Sequence, residues 1–129
     1  GNLGFDLHCV EDDSFYGQPR RKGLCVGQQH LFHTGLKMSI PEGCGVILKD
    51  RSGLASKHGI HVLAGIIDSS YRGEILICLI NLGKYCYEIA EGDRICQAIV
   101  VPDYHIKFKE VEKLSETLRG EAGFGSSGR

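Results

Sequence analysis

The sequence predicts an all-β fold, a sandwich or a barrel, and three observations carry this prediction. Short apolar runs recur along the chain, and turns that contain glycine or proline separate them. The run at 75–80, ILICLI, is continuously apolar, as in a strand that is buried on both faces. Helical periodicity is rare and confined to short segments. The length of 129 residues fits one domain with one core.

The predicted strands end at residues that favour turns. Pro41 ends the first run and Pro102 ends the last, because proline lacks the amide hydrogen that a central strand donates. Gly83 and Gly92 lie in the turns between the later runs. In chain order the runs span 31–40, 44–49, 75–80, 85–89 and 95–101.

Helix is predicted at 52–59 and permitted at 110–118. The first segment, SGLASKHG, has a serine at its start and a glycine at its end, which fits one or two turns. In the second, Val111, Leu114 and Leu118 are spaced i, i+3 and i+7, which permits a short amphipathic helix. Residues 11–29 are polar and are predicted to form mostly a surface loop. The last ten residues are rich in Gly and Ser, which is typical of a flexible tail.

Composition narrows the possible functions. The chain carries 15 Lys and Arg against 16 Asp and Glu, so we expect no clustered basic surface and no direct binding of nucleic acid. No apolar run has the length of a membrane span, and no signal peptide is visible at the N-terminus. We therefore expect a cytoplasmic protein without membrane contact, in the host cytoplasm if the source is viral.

The cysteines and histidines are predicted to have structural rather than chemical roles. Each of the six cysteines lies within or beside an apolar segment, which favours free thiols over disulfides. The pairs His30/His33 and His58/His61 have no ligand at a matching interval, so we interpret them as surface or loop histidines rather than zinc ligands.

Four segments contain residues that can do chemistry, and each has a structural alternative. At 49–53, Arg51 and Ser52 lie at the predicted start of a helix, where free amides attract anions; a plain helix cap is the alternative. Asp68 ends an apolar run, where partial burial tunes a carboxylate; a turn-capping Asp is the alternative. At 92–97, the alternative is a turn followed by a strand with Gln97 on an exposed face. The Gly-rich segment at 119–128 can approach phosphates closely, although it is not a Walker loop.

Taken in order, these segments resemble the five motifs of the trimeric dUTP pyrophosphatase (dUTPase) family. The motifs are GFDL at 4–7, RSGLA at 51–55, AGIIDSSYRGE at 64–74, GDRICQ at 92–97 and RGEAGFGSSG at 119–128. The resemblance implies a jelly-roll-like distorted β-barrel at 1–118 with one short helix, assembled as a homotrimer. It implies that a Gly-rich arm at 119–129 closes a neighbouring subunit's active site. The implied reaction converts dUTP to dUMP and pyrophosphate, which limits uracil in DNA and supplies dUMP for dTMP synthesis.

The resemblance also implies a role for each site residue. Asp68 is expected to activate the water that attacks the α-phosphorus, and Tyr71 to pack under the deoxyribose. Asp6 is expected to hold water on a Mg²⁺ ion that the triphosphate itself binds for the most part. The backbone near Val62, Gly65 and Ile67 is expected to bind uracil. The remaining substrate-binding residues implied are Arg51, Ser52, Gly53, Gln97, Arg119, Phe124, Gly125, Ser126 and Ser127.

Three departures from the family pattern stand out. Asp50 replaces the usual proline before Arg51, and a carboxylate near phosphates is unfavourable unless Arg51, Lys49 or the metal compensates. Val62 replaces an Asn of some relatives, so that contact passes to backbone groups. Relatives carry a leading strand before the first motif, so either upstream residues are missing or another segment replaces that edge strand.

Two other functions fit the residues less closely. A dCTP deaminase of the same fold uses a Glu where this chain has Asp68. A nucleotide-sensing regulator would bind a protein partner through the loop at 11–29, and this role can coexist with catalysis.

Overall fold

A computed structural model of the chain describes residues 1–10 and 21–123. Within these ranges it is built from nine strands and one helix, which confirms the all-β prediction. The strands are β1 (Phe5–His8), β2 (Arg21–Leu24), β3 (Gln29–Phe32), β4 (Cys44–Lys49), β5 (Ile60–Leu63), β6 (Ile66–Ile67), β7 (Ile77–Asn81), β8 (Tyr87–Ala90) and β9 (Arg94–Pro102); the helix is α1 (Ser52–His58). Within the described residues, no helix has the length and hydrophobicity that a membrane span requires.

The strands form three antiparallel sheets, which enclose the core as a distorted jelly roll rather than a closed barrel. Their orders are β1-β9-β4-β6, β3-β7-β5 and β2-β8. β9 is the centre of the largest sheet, because β1 pairs with one of its edges and β4 with the other. The chain crosses from the three-stranded to the four-stranded sheet between β5 and β6.

The core lies between the sheets and follows the alternation of the strands. On β4, Val46 and Leu48 point inward and are 1% and 5% exposed, whereas Lys49 points outward. On β7, Ile77 and Leu79 are fully buried. Fully burying one such side chain stabilises the fold by about 1.5–3 kcal/mol.

Several predicted boundaries of strands and helices were wrong. The run at 31–40 forms a strand only up to Phe32, and the polar stretch at 11–29 contains β2 and the start of β3. No helix forms at 110–118, where Val111, Leu114 and Leu118 are all exposed. An amphipathic stripe stabilises a helix only by packing, and within the described residues Leu114 and Leu118 remain largely exposed.

The helix at 52–58 is confirmed, and it ends for a local reason. Gly59 adopts the left-handed conformation with φ of 69°, which a glycine reaches at little cost. A β-carbon at Gly59 would also collide with the backbone of Gly83.

The prediction that all cysteines are free was wrong for one pair. Cys25 and Cys86 form a disulfide, with their Cα atoms 4.0 Å apart. The register of β2 and β8 explains the bond, because Leu24 lies opposite Tyr87 and the next residues meet just beyond the ladder. Asn81 supports the same junction, since its Nδ2 donates to Leu24 O at 2.7 Å and to Tyr85 O at 2.8 Å.

Candidate active site

One half of the candidate site is a row of polar side chains across the large sheet. Gln97 lies opposite Asp6 of β1 on one side and opposite Lys49 of β4 on the other. Directly opposed residues of an antiparallel sheet share a face. The structure therefore brings the first and fourth motifs side by side, and we call Asp6, Gln97 and Lys49 the polar row.

Two arginines converge on Asp6 at the end of this row. Arg51 Nε donates to Asp6 Oδ1 at 3.1 Å, and Arg94 Nη1 donates to Asp6 Oδ2 at 3.3 Å. Arg51 also donates from Nη1 to Arg94 O at 3.2 Å. Two guanidinium groups thus face one carboxylate, and a pocket of 230 Å³, which Asp93 also lines, opens beside Arg51 and Arg94. Such an arrangement suits phosphate oxygens.

The second motif adds its polar residues at the start of α1. Arg51 is the N-cap and makes no side-chain capping hydrogen bond. Ser52 and Gly53 follow in the first turn and are exposed. Arg51 thus contacts Asp6 of the polar row, and Ser52 and Gly53 follow it directly in the chain.

Asp50 is compensated by groups that the sequence did not indicate. Its Oδ1 accepts a hydrogen bond from the Val62 amide at 2.6 Å, and its Oδ2 lies 2.7 Å from His61 Nδ1. The carboxylate thus turns toward β5, and neither Arg51 nor Lys49 is its partner in these two contacts. Val62 itself is 6% exposed and its amide already donates to Asp50, so the predicted substrate contact at Val62 would fall to its carbonyl.

The other half of the candidate site surrounds Asp68. The chain leaves β5 through Ala64 and Gly65, which both have positive φ, 62° and 112°. Gly65 O then accepts a hydrogen bond from Leu48 N at 2.7 Å, which docks the chain against β4. A β-carbon at Gly65 would approach Leu48 to 3.0 Å. This tight crossing leads through β6 to the exposed carboxylate of Asp68.

A mostly apolar pocket of 260 Å³ adjoins Asp68. Tyr71 forms part of its wall and is held by two hydrogen bonds, from its amide to Asp68 O at 3.1 Å and from its hydroxyl to Glu74 O at 2.9 Å. Gly73 lies so close to the Tyr71 ring that a β-carbon there would overlap the hydroxyl. The other lining residues are Leu31, Leu48, Leu63, Ala64, Gly65, Ile66, Ile67, Glu74, Ile75, Leu76 and Cys78.

Glu74 is a residue of this half that the sequence reasoning missed. Its carboxylate accepts from Gly35 N at 2.8 Å and Thr34 N at 3.1 Å and lies 3.0 Å from His33 Nδ1. The hydrogen bond with His33, followed by those from the two amides, lowers the pKa of Glu74. The available signal was an acid within the third motif, directly after Gly73.

The two halves do not meet within one chain. Ile67 lies opposite Val46, which puts Asp68 level with Gly45, whereas Gln97 lies opposite Lys49. Four residues along β4 separate these levels, a distance of about 13 Å. Asp68 and the polar row therefore occupy different ends of the same sheet.

The Cys96 thiol is buried behind the polar row. Burial raises the pKa of Cys96 to about 11, and the negative charges of Asp50 and Asp6 add to the effect. Cys96 belongs to the buried core, and its thiol donates to Gln97 O at 3.3 Å.

The last motif is described only in part. Arg119 lies in an exposed turn, where its Nε donates to Ala122 O at 2.8 Å rather than to the polar row. Phe124, Gly125, Ser126 and Ser127 lie outside the described residues.

The dUTPase family model matches residues 2–128, a range that contains both halves of the candidate site. The chain belongs to the dUTPase family. The deoxyuridine 5'-triphosphate nucleotidohydrolase of Clostridium novyi is 44% identical over 99% of this chain and 85% of its own length. The enzyme of the same name from Nautilia profundicola is 46% identical over 98% of this chain and 84% of its own length.

Solved dUTPase structures share the fold. The Staphylococcus bacteriophage 80alpha dUTPase with dUPNHPP matches with a TM-score of 0.84 and 29% identity over 99% of this chain and 87% of that one. The EIAV dUTPase matches with a TM-score of 0.73 and 26% identity over 89% of this chain and 88% of that one. A phage phi11 dUTPase, with a TM-score of 0.73 and 25% identity over 87% of this chain and 84% of that one, is described as coordinating a structural Mg(II) ion.

Proposed function

We propose that this dUTPase cuts dUTP to dUMP and pyrophosphate by attack of water on the α-phosphorus, with Asp68 as the general base. The observation that carries the proposal is the position of Asp68, an exposed carboxylate at a pocket of 260 Å³ whose wall includes Tyr71. An exposed carboxylate next to such a pocket can orient a water and accept its proton. General-base catalysis contributes about 10²–10⁴-fold, so positioning and charge stabilisation must supply the rest.

The apolar pocket is the proposed site for the base and sugar. The Tyr71 ring would pack under the deoxyribose and leave no room for a 2′-hydroxyl. Backbone groups of the β5–β6 crossing, near Val62, Gly65 and Ile67, would bind the uracil edge. The tight crossing supports this assignment, because its exposed backbone lies in the wall of the pocket.

The phosphates are assigned to the other half. Arg51, Ser52, Gly53 and Gln97 would bind them around the polar row, where two guanidinium groups already lie together. The arm at 119–129 would close over the nucleotide and contribute Arg119, Phe124, Gly125, Ser126 and Ser127. Ordering a Gly-rich segment costs conformational entropy, which suits a lid that closes only on bound substrate.

Mg²⁺ is the proposed cofactor, and the residues present fit an ion held mainly by the substrate. In residues 1–10 and 21–123, no three His, Cys, Asp or Glu side chains are grouped to hold a metal. Asp6 offers a hard oxygen donor, but both of its oxygens face arginines, which suits contact with a metal-bound water rather than direct ligation. When bound, Mg²⁺ neutralises phosphate charge.

The proposed unit of function is a homotrimer with its sites between subunits. The separation of Asp68 from the polar row supports this, because halves that lie at different ends of the sheet can be supplied to one nucleotide by two neighbouring subunits. The segment at 104–118 also carries large exposed apolar side chains, which suit contact with a neighbouring subunit. They are Tyr104, Ile106, Phe108, Val111, Leu114 and Leu118.

Pyrophosphate release from dUTP, with and without EDTA, tests the proposal. We expect wild-type turnover that EDTA suppresses, and a loss of about 10²–10⁴-fold in kcat for Asp68→Asn with little change in KM. Near-full turnover of Asp68→Asn would show that another group is the base. An assay of ammonia release from dCTP on the same samples distinguishes the deaminase alternative.

A further inference from the structure

The carboxylate of Asp50 joins two parts of the molecule. Asp50 lies between the end of β4 and Arg51, whereas both of its partners, the Val62 amide at 2.6 Å and the His61 ring at 2.7 Å, lie on β5. These contacts close a loop of chain that contains the whole of α1. The hydrogen bond from the amide is charge-assisted, which makes it one of the stronger kinds.

The segment that follows Asp50 has its other anchors further along α1, where Leu54 packs against the core and His58 contacts the Tyr87 ring. α1 has 7 residues and none of them is buried. A helix this short is not stable through its own backbone hydrogen bonds. The position of Arg51, Ser52 and Gly53 must therefore be set by contacts on either side of them.

The strand that holds Asp50 is, by contrast, well fixed. β5 pairs with β7 along its full length, from Ile60 opposite Asn81 to Leu63 opposite Cys78. Ile60 and Val62 are 2% and 6% exposed. Through Asp50, the well-fixed strand β5 therefore restricts the start of the second motif.

Adjacent residues are anchored in opposite directions. Asp50 is held by β5 of the three-stranded sheet, and Arg51 is held by Asp6 of β1 in the four-stranded sheet, at 3.1 Å. With two consecutive side chains tied to two different sheets, the backbone that leads into Ser52 has little freedom. A proline at position 50 would restrict the backbone through its ring, and here two side-chain contacts restrict it instead.

We propose that Asp50 is a positioning residue that sets Arg51, Ser52 and Gly53 in place for the phosphates of the substrate. The inference rests on the proposed function of those three residues. Asp50 acts through them and does not touch the substrate, because its carboxylate is engaged by β5 and would repel a phosphate.

The first test compares Asp50→Ala with wild type in dUTP turnover and in nucleotide binding. Because the Val62 amide loses its acceptor, we expect the KM for dUTP to rise about tenfold, with kcat within about threefold of wild type. Binding of the imido analogue dUpNHpp should weaken by about the same tenfold factor, whereas binding of dUMP should change by less than about threefold. A residue that only stabilises the fold would lower the melting temperature without this split between the two ligands.

Two further variants separate positioning from charge. Asp50→Asn keeps an acceptor for the Val62 amide, so we expect it to restore the KM to within about threefold of wild type. Asp50→Glu keeps the charge but displaces the oxygens, so its KM should rise; it replaces Asp50→Ala if that variant does not fold. Asp103→Ala is a matched control, because Asp103 also accepts a backbone amide, from His105 at 2.9 Å, and lies 3.5 Å from the His105 ring.

The outcomes are distinct from those that test the proposed function. Absence of dUTP turnover in wild type contradicts the proposed function. Normal wild-type turnover with an unchanged KM in Asp50→Ala and Asp50→Glu contradicts only the role of Asp50. Equal losses for dUpNHpp and dUMP, or an Asn variant as weak as the Ala variant, also overturn it.

Discussion

The two halves of the candidate site are built on different principles. Around the polar row, charged side chains fix one another: the side chains of Arg51 and Asp6 are only 28% and 23% exposed, and hydrogen bonds link Asp6 of β1 to the start of α1 and to Arg94 of β9. Around Asp68, the shape of the site is set by an apolar pocket and a backbone crossing, and Tyr71 in the pocket wall is 44% exposed. We call the proposed phosphate site around the polar row the phosphate half, and the pocket beside Asp68, proposed to bind uracil and deoxyribose, the base half. The phosphate half is preorganised within one chain, whereas the base half remains open and needs a cover.

Removal of residues 119–129 tests whether the base half needs a cover, and we expect it to have the largest effect. If the arm covers the bound nucleotide, its loss should lower kcat/KM for dUTP by about a hundredfold, because several phosphate contacts and the exclusion of water disappear together. Analytical ultracentrifugation should show an unchanged oligomer. Wild-type kinetics from the truncated chain would refute the lid.

Arg51→Lys tests the claim that the phosphate half is preorganised. A lysine carries all its donors on one nitrogen and lacks the planar fork of the guanidinium, so it cannot reproduce the separate Nε bond to Asp6 and Nη1 bond to Arg94 O. We expect the KM for dUTP to rise about tenfold while kcat changes little. Arg21→Lys is the control, because Arg21 forms only an exposed pair with Glu88. Equal effects of the two substitutions would mean that general charge, and not the geometry at Asp6, sets the affinity.

Gly73→Ala tests the base half with a single methyl group. The added β-carbon would overlap the Tyr71 hydroxyl, so the ring must move away from its present position. We expect the preference for dUTP over UTP, measured as the ratio of kcat/KM values, to fall about tenfold. Gly23→Ala is the control, because a β-carbon at Gly23 meets no atom within 4 Å. A preserved preference in a well-folded Gly73→Ala protein would remove Tyr71 from sugar selection.

The sequence predicted those features that depend on local chemistry. The strand at 44–49 was located because an apolar run follows the turn after Pro41, and the helix at 52–58 because a serine and a glycine bracket it. The residues assigned to the two halves came from the resemblance to the five dUTPase motifs, and their roles stay predictions. These signals are contained within a few consecutive residues, so no knowledge of the rest of the fold was required.

The features that escaped prediction depend on pairing between distant segments. β2, with the sequence RKGL, has no apolar alternation and is a strand because β8 pairs with it. The same pairing creates the Cys25–Cys86 disulfide across a separation of 61 residues. The partners of Asp50 and Glu74 likewise follow from neighbours that only the folded chain supplies. Register, more than residue type, decided all of these.

Glu74→Gln probes the smallest effect, the contribution of one half-buried carboxylate near the Asp68 pocket. The pKa of Glu74 lies below its ordinary value of 4.5, first through the hydrogen bond with His33 and then through the amides of Gly35 and Thr34. A lowered pKa in the folded state means that the charged form stabilises the fold above the ordinary pKa and that this contribution is lost as pH falls through the folded value.

Wild type should therefore melt at a higher temperature than Glu74→Gln at pH 7, and the difference should shrink as pH falls below about 4.5. Glu116→Gln serves as the control, because Glu116 forms only an exposed pair with Lys113. The charge at Glu74 is expected to have little effect on the dUTP-to-UTP preference, because the Tyr71 hydroxyl bonds the backbone oxygen of Glu74 and not its carboxylate. A clear loss of that preference in Glu74→Gln would mean that this side chain, and not the backbone, holds the base half in shape.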